Sequence, residues 1–257
     1  MKIEKIKFSE TAWLTAYLQE NPREDKKPFP AMIIVPGGGY EYVSSREAEP
    51  IAMAFLAQGY QVIVLDYTVM SKGTQYNFLQ DCLNELSRTF EEVHQNAVKW
   101  EIDTEKIFLI GFSAGAHLAA WYANTATKNK PAGLLLAYAL ISFDYGWPLQ
   151  ASYFNFPIDL TQYNTADLVN EKTPPVFIWQ TGNDAVVPVY NSLKFCEQLG
   201  KFNIPFEAHI FEKGYHGLSL ANRTVASTDE GINPNVARWL ELAVQWLEVH
   251  LATLDEQ

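Results

Sequence analysis

Short apolar runs alternate along this chain with segments of helical periodicity, and this rhythm restricts the fold more than any other feature. Strand-like runs occupy residues 31–35, 61–66, 106–110, 134–139, 176–180 and 206–211. Helical patterns or helix-start signals mark residues 48–58, 77–99, 114–125, 189–200 and 234–251. The pattern predicts an α/β fold, a mostly parallel, doubly wound sheet of about eight strands with helices on both faces.

The sequence also predicts the edge of the sheet, the number of domains and the segment that covers the active site. Residues 12–18 are predicted to form an early strand in an antiparallel edge hairpin. No repeat or Gly/Ser-rich linker divides the 257 residues, so we expect a single domain over residues 1–257. Residues 142–173 are irregular and aromatic-rich, and we expect them to cover the active site in place of a large cap.

The pentapeptide Gly-Phe-Ser-Ala-Gly at residues 111–115 lies between a predicted strand and a predicted helix. A sharp strand-to-helix turn exposes a serine hydroxyl, and small flanking residues let the chain bend there. The alternative is a helix start at which Ser113 only caps the helix or binds a phosphate. Its place after a strand favours Ser113 as a catalytic nucleophile.

A serine nucleophile needs a histidine to accept its proton and a carboxylate to orient that histidine, here in the chain order serine, acid, histidine. Asp184 lies in a turn after the strand 176–180, and His216 lies in a glycine-flanked loop after the strand 206–211. Ligands bind at this C-terminal edge of a parallel sheet. The sequence therefore predicts Asp184 as the acid and His216 as the base.

Other titratable residues are weaker candidates for these roles. Asp184 could instead be a simple turn former, with Asp144 or Asp159 as the acid. His117, on the helix after the nucleophile, is expected to brace the elbow or a neighbouring loop. His209 is expected to pack within a strand, and the two remaining histidines to lie on solvated helix faces.

Three consecutive glycines, residues 37–39, follow the first buried strand. Glycine lets the main chain approach a developing negative charge closely. We predict an oxyanion hole formed by the N–H groups of Gly38, Gly39 and Ala114. A phosphate-binding loop is the alternative, but the Lys-Ser/Thr pair of a P-loop does not follow.

Aromatic residues are concentrated in the loops expected around Ser113. Tyr40, Tyr145, Trp147 and Tyr215 are the candidates for substrate contacts. Such rings could form a small acyl pocket and stack against sugars, or they could simply pack a loop without a helix of its own. The same loops also carry Tyr42, Phe143, Tyr153, Phe154 and Phe156.

The charge balance restricts the partners. Asp and Glu number 30 against 19 Lys and Arg, a net charge of −11 without a basic stripe. Such a field opposes binding to nucleic acid or to an anionic membrane and favours a neutral small-molecule ester as substrate. The sequence leaves open whether the chain forms a homodimer.

Neither a metal nor a cofactor is expected. Cys82 and Cys196 lie far apart without zinc-site spacing and are predicted to be buried thiols. No apolar run approaches the ~20 residues of a membrane span. Residues 1–10 lack the apolar block of a signal peptide, so we expect a cytoplasmic protein.

In combination these motifs resemble the α/β-hydrolase superfamily. The resemblance rests on P-G-G-G-Y at 36–40, V-L-D-Y at 64–67, G-F-S-A-G-A-H-L-A at 111–119, G-N-D-A-V-V-P at 182–188 and Y-H-G at 215–217. More narrowly, it is similar to small bacterial esterases related to hormone-sensitive-lipase-like and acetyl-xylan-esterase-like enzymes. The resemblance implies the same nucleophile, acid, base and oxyanion glycines.

Two departures narrow the resemblance to its capless, carbohydrate-esterase-like branch. Pro36 stands where the lipase-like branch has histidine, and a large helical cap is missing. The expected function is hydrolysis of short-chain carboxylic esters, such as acetyl esters of sugars, through an acyl-serine intermediate. A serine peptidase or amidase, including a formamidase-like enzyme, would use the same residues, whereas a non-catalytic binding module would have lost some of them.

Overall fold

One eight-stranded sheet forms the centre of the molecule, in the strand order β1-β2-β4-β3-β5-β6-β7-β8. It is seen in a computed structural model that describes residues 1–72, 77–146 and 159–256. The pairs β1–β2 and β2–β4 are antiparallel and the other neighbouring pairs are parallel, which confirms the expected architecture. The strands are β1 (Lys2–Lys7), β2 (Trp13–Leu18), β3 (Phe29–Val35), β4 (Gln61–Asp66), β5 (Ile102–Phe112), β6 (Gly133–Ala137), β7 (Val176–Thr181) and β8 (Phe206–Phe211).

Helices cover both faces of this sheet because successive strand side chains point in opposite directions. Ile33 of β3 joins one apolar cluster, whereas its neighbours Met32 and Ile34 join another. The second to fourth helices contribute to the first cluster and the first and sixth to the second. The helices are α1 (Glu49–Leu56), α2 (Phe78–Trp100), α3 (Ala114–Thr125), α4 (Tyr190–Lys201), α5 (Pro234–Ala237) and α6 (Trp239–Asp255).

Three local features differ from the sequence prediction. The edge strand β1 pairs antiparallel with β2, as the predicted hairpin requires, but its bounds were not predicted because its residues are all exposed or half-exposed. β5 starts at Ile102, four residues early, directly after Glu101 reverses the chain at φ +52°. The closing helix is divided at Arg238, where α5 ends and α6 begins.

The parallel strands bring the predicted functional loops to one edge of the sheet, beyond the ends of β3, β5, β7 and β8. The segment after β6 is irregular where it is described, with short 3-10 turns at Phe143–Tyr145 and Leu160–Tyr163. Trp147 lies outside the described residues. Among the described helices, none combines the length and the apolar character needed to cross a membrane.

Candidate active site

Ser113 lies at the sharp turn between β5 and α3. Its backbone has φ +52° and ψ −118°, a conformation that residues other than glycine rarely adopt. Its N–H donates to the carbonyl of Ala137 at 3.0 Å, and its carbonyl accepts from the N–H of Leu140 at 3.2 Å. These bonds to the end of β6 and to the residues beyond it hold the strained turn in place, with the hydroxyl at the edge of the sheet.

The two glycines of the pentapeptide are required by close packing. A Cβ on Gly111 would lie 2.5 Å from the Cα of Ala116, so the turn could not fold back on itself. A Cβ on Gly115 would lie 2.2 Å from the carbonyl oxygen of Val35, at the end of β3. The first glycine therefore permits the turn, and the second lets α3 start directly against the neighbouring strand.

Ser113, His216 and Asp184 form a continuous hydrogen-bonded chain. The Ser113 Oγ lies 2.7 Å from His216 Nε2, and His216 Nδ1 lies 2.7 Å from Asp184 Oδ2. Because a carboxylate only accepts, Nδ1 carries the proton and Nε2 is left to accept from the serine hydroxyl. The Asp184 side chain is fully buried and that of His216 is 15% exposed, so the base can be reached from the solvent side.

Hydrogen bonds fix the loop that carries the acid and connect it to the loop that carries the base. Asp184 Oδ1 accepts from the N–H groups of Val186 and Val187, both at 2.9 Å. The N–H of Gly214 donates to Asn183 Oδ1 at 2.8 Å. This bond connects the loop after β7, which carries Asp184, with the loop after β8, which carries His216. The carboxylate therefore has three hydrogen-bond donors and one fixed orientation.

The glycine loop after β3 lies directly against the nucleophile. A Cβ on Gly37 would lie 2.9 Å from Ser113 Cβ. Gly38 has φ +119° and Gly39 φ +63°, and a Cβ on Gly38 would meet the carbonyl of Tyr42 at 2.0 Å. Ala114 is the first residue of α3, so its N–H has no acceptor within the helix. Gly38 and Gly39 thus line the same cleft as Ser113, and Ala114 directly follows it; the oxyanion role of the three residues stays a prediction.

A buried network that the sequence did not indicate holds this loop. The carboxylate of Glu47, only 3% exposed, accepts from the N–H of Gly37 at 2.8 Å and from the hydroxyl of Tyr138 at 2.6 Å. The same hydroxyl accepts from the N–H of Ser219 at 3.1 Å. Its ring packs edge-on against His216, with centroids 5.1 Å apart. Glu47 and Tyr138 therefore couple the position of the glycine loop to that of the base.

A cleft of about 260 Å³ opens beside the serine. Ser113 and His216 form part of its wall, and Val186 closes one side. The rest of the wall comes mostly from the glycine loop and the turn after it, with the residues Gly38, Gly39, Glu41, Tyr42, Ser44, Arg46 and Glu47. The cleft is small and its wall is rich in polar groups.

Of the four aromatic residues expected to contact substrate, the three that the structure describes, Tyr40, Tyr145 and Tyr215, do not line this cleft. The Tyr40 side chain is fully buried, and its ring packs edge-on against Tyr67 and Phe78. The prediction for Tyr40 is wrong, because its φ of +61° directs the ring into the core. Tyr145 contacts the ring of Tyr190, and the hydroxyl of the half-exposed Tyr215 lies against Gly231. Trp147 lies outside the described residues.

His117 joins three parts of the structure, as a bracing role requires. Its Nδ1 lies 2.8 Å from the Tyr40 hydroxyl and its Nε2 2.7 Å from the Tyr163 carbonyl. Because a carbonyl only accepts, Nε2 carries the proton and the hydroxyl donates to Nδ1. Burial lowers the pKa of His117 to about 4, so the ring is neutral. It links α3 to the glycine loop and to the segment after β6.

This buried neutral imidazole predicts a pH dependence of stability. Unfolded chains bind a proton at His117 below about pH 6.5, whereas the folded chain does so only near pH 4. The free energy of unfolding therefore falls as the pH drops through this range, and at pH 5 this contribution is about 2 kcal/mol lower than at pH 7.5. We expect His117→Gln, which cannot titrate, to lose this share of the dependence in urea unfolding at about pH 7.5 and pH 5. An identical pH dependence in both proteins would contradict this account.

The other candidates lie away from the serine. Asp144 is exposed, and Asp159 is an exposed cap whose Oδ1 accepts from the N–H of Thr161. Cys82 is buried as predicted, whereas Cys196 is only partly buried; burial raises the pKa of Cys196 to about 11. In the described part of the chain, no three side chains come together that could hold a metal ion.

Comparison with known proteins assigns the family. The BD-FAE family model matches residues 17–144. The solved structure of the carboxylesterase Cest-2923 from Lactobacillus plantarum WCFS1 is 31% identical, with 96% of this chain and 97% of that chain covered and a TM-score of 0.89. This chain belongs to the α/β-hydrolase family of carboxylic ester hydrolases. The resemblance of the sequence motifs is thereby confirmed.

Two further relatives of this α/β hydrolase are named for carbohydrate substrates. A sugar hydrolase, YeeB, from Lactococcus lactis is 49% identical, with 98% of this chain and 100% of that chain covered and a TM-score of 0.94. An acetylxylan esterase from Xylanibacter ruminicola is 27% identical over 80% of this chain. The chain spans only 43% of the length of that esterase and 33% of another curated relative.

Proposed function

We propose that this α/β hydrolase removes short acyl groups, acetyl foremost, from sugars or similar alcohols through an acyl-serine intermediate. The observation that carries the proposal is the hydrogen-bonded chain from Ser113 through His216 to Asp184, built on a strained turn. A serine on a strained strand-to-helix turn beside an imidazole acceptor is the arrangement with which α/β hydrolases attack esters.

Acylation begins when the Ser113 Oγ attacks the ester carbonyl while its proton passes to His216 Nε2. The buried Asp184 carboxylate keeps Nδ1 protonated and stabilises the imidazolium that forms. The carbonyl oxygen becomes an oxyanion, which the N–H groups of Gly38, Gly39 and Ala114 stabilise. When the tetrahedral intermediate collapses, the imidazolium gives its proton to the departing alcohol.

Deacylation uses the same groups on water. His216 Nε2 accepts a proton from a water molecule, which attacks the acyl carbonyl of the esterified Ser113. The second tetrahedral intermediate is stabilised in the same oxyanion site. Its collapse releases the carboxylic acid and returns the proton to the serine oxygen, so these steps use side chains and backbone N–H groups of the protein together with water.

The size and polarity of the cleft support a short acyl group and a hydroxylated alcohol. About 260 Å³ beside Ser113 holds a small ester, and the wall offers charged and hydroxyl groups rather than a long apolar channel. The names of the sugar hydrolase and acetylxylan esterase relatives agree with such a substrate. Among the residues that the structure describes, none of those lining the cleft favours a peptide or amide over an ester.

Rates on p-nitrophenyl esters from acetate to decanoate test the acyl preference. We expect kcat/KM to be highest for acetate or propionate and to fall at least about tenfold by octanoate, because a chain of that length exceeds the cleft. A preference for eight carbons or more would overturn the short-chain proposal. Assays on acetylated sugars and on aminoacyl and formamide substrates run beside them, and faster cleavage of the amides would replace the esterase proposal.

A further inference from the structure

Arg46 is a charged donor group that the proposed mechanism leaves unused. It lies in the 3-10 turn Ser45–Glu47, is half-buried, and lines the cleft that contains Ser113. Among the described residues the arginines in ion pairs are Arg23 and Arg88, so the guanidinium of Arg46 has no acidic partner there. Its carbonyl accepts from the Ser219 hydroxyl at 2.7 Å. Guanidinium groups held in a cleft without a protein acceptor are suited to bind a ligand.

The position of Arg46 identifies which half of the substrate it faces. Its Nη2 lies 3.4 Å from the point where a Cβ on Gly217 would stand, and Gly217 directly follows His216. In the proposed mechanism the departing alcohol takes its proton from His216 Nε2, so its oxygen must lie near that atom. The alcohol half of the ester must therefore start beside His216, in the cleft that Gly217 and Arg46 also line.

Tyr42 adds an apolar surface on the same wall. Its side chain is 57% exposed, while its backbone is fixed by an N–H donated to the Gly38 carbonyl at 3.2 Å. The ring atom Cδ2 lies 3.2 Å from the position of a Cβ on Gly38. An exposed ring on a rigid loop offers the apolar face of a sugar a surface to stack on at little cost in conformational entropy.

We propose that Arg46 and Tyr42 form the subsite for the alcohol half of the substrate and that this alcohol is a neutral sugar. The inference rests on the proposed esterase function and extends it. Guanidinium N–H groups donate to sugar hydroxyls, and the ring covers an apolar face. Glu41 lines the same cleft, and the net charge of −11 opposes anionic substrates, so an acidic sugar fits less well.

The test compares two acetyl esters that differ only in the alcohol: an acetylated methyl xyloside and p-nitrophenyl acetate. In Arg46→Met we expect the ratio of kcat/KM for the sugar ester to that for p-nitrophenyl acetate to fall at least about tenfold, mainly through KM. The matched control is Arg88→Met on α2, which contacts Phe8 away from the cleft and should leave both rates unchanged. An equal fall for both esters in Arg46→Met would assign Arg46 a structural role and overturn the subsite.

Tyr42 gives an independent arm of the test. Tyr42→Ala should lower the same ratio, and Tyr42→Phe should restore it because the ring is retained. Tyr190→Ala is the control, because it removes a ring of similar exposure, 48% against 57% for Tyr42, that does not line the cleft. If the parent protein cleaves the sugar ester and these ratios stay constant, the subsite alone is overturned. If it cleaves p-nitrophenyl acetate but no sugar ester, the proposed sugar substrate fails too. A higher rate on an acetylated uronic acid would show that an anionic alcohol is preferred.

Discussion

Ser113→Ala is expected to lower kcat for p-nitrophenyl acetate by about 10⁶-fold, because the nucleophile, base and acid act as one unit. The Ser113 Oγ lies 2.7 Å from His216 Nε2. The methyl group of alanine has no oxygen that could attack the ester carbonyl. The variant should fold normally, since the bonds that hold the turn come from the backbone of residue 113. Initial rates give kcat for the parent protein, and long incubations at high enzyme concentration give kcat for the variant.

Thermal unfolding provides the control for this variant. Its midpoint should stay close to that of the parent protein, which would separate loss of chemistry from loss of fold. Ester hydrolysis within tenfold of the parent rate in a folded Ser113→Ala protein would show that another group attacks the ester.

Asp184→Asn is expected to lower kcat by about 10⁴-fold with little change in structure. The N–H groups of Val186 and Val187 would hold the amide oxygen where Oδ1 now lies. The amide NH₂ would then donate to His216 Nδ1, so that the proton moves to Nε2. A protonated Nε2 cannot accept the proton of the serine hydroxyl, and the base is lost although the ring stays in place.

Asp144→Asn is the matched control, since Asp144 was an alternative acid in the sequence and is exposed in the structure. It should keep the parent kcat. If Asp184→Asn retained more than a tenth of the parent rate, or if Asp144→Asn lost as much as Asp184→Asn, the assignment of the acid would be incorrect.

Local patterns predicted the parts of the fold that local physics determines. The buried strand β4 and the helix α3 have the predicted boundaries, because an apolar run and a glycine-bounded helix start indicate them directly. The proximity of Ser113, Asp184 and His216 could also be anticipated, because loops that follow parallel strands meet at one edge of the sheet. Their hydrogen-bond distances could not.

Contacts between distant segments account for what the sequence did not indicate. Glu47 lies in a segment with several charged residues, which is typical of an exposed loop. Only the fold brings its carboxylate to Gly37 and to Tyr138, which lies 91 positions further along the chain. Tyr40 was assigned to the substrate because it lies in a loop expected around Ser113, yet its ring is buried in the core and its hydroxyl lies against His117. Which way a loop side chain points depends on φ and on packing, neither of which residue type reveals.

The central claim is that Ser113 becomes covalently acylated, and a fluorophosphonate ester tests it most directly because it traps an activated serine. Intact-protein mass spectrometry followed by peptide mapping should find one adduct per chain, on the peptide that contains Ser113, with activity lost in parallel. Ser113→Ala should take up no label. An adduct on a different residue, or full labelling of Ser113→Ala, would contradict the account.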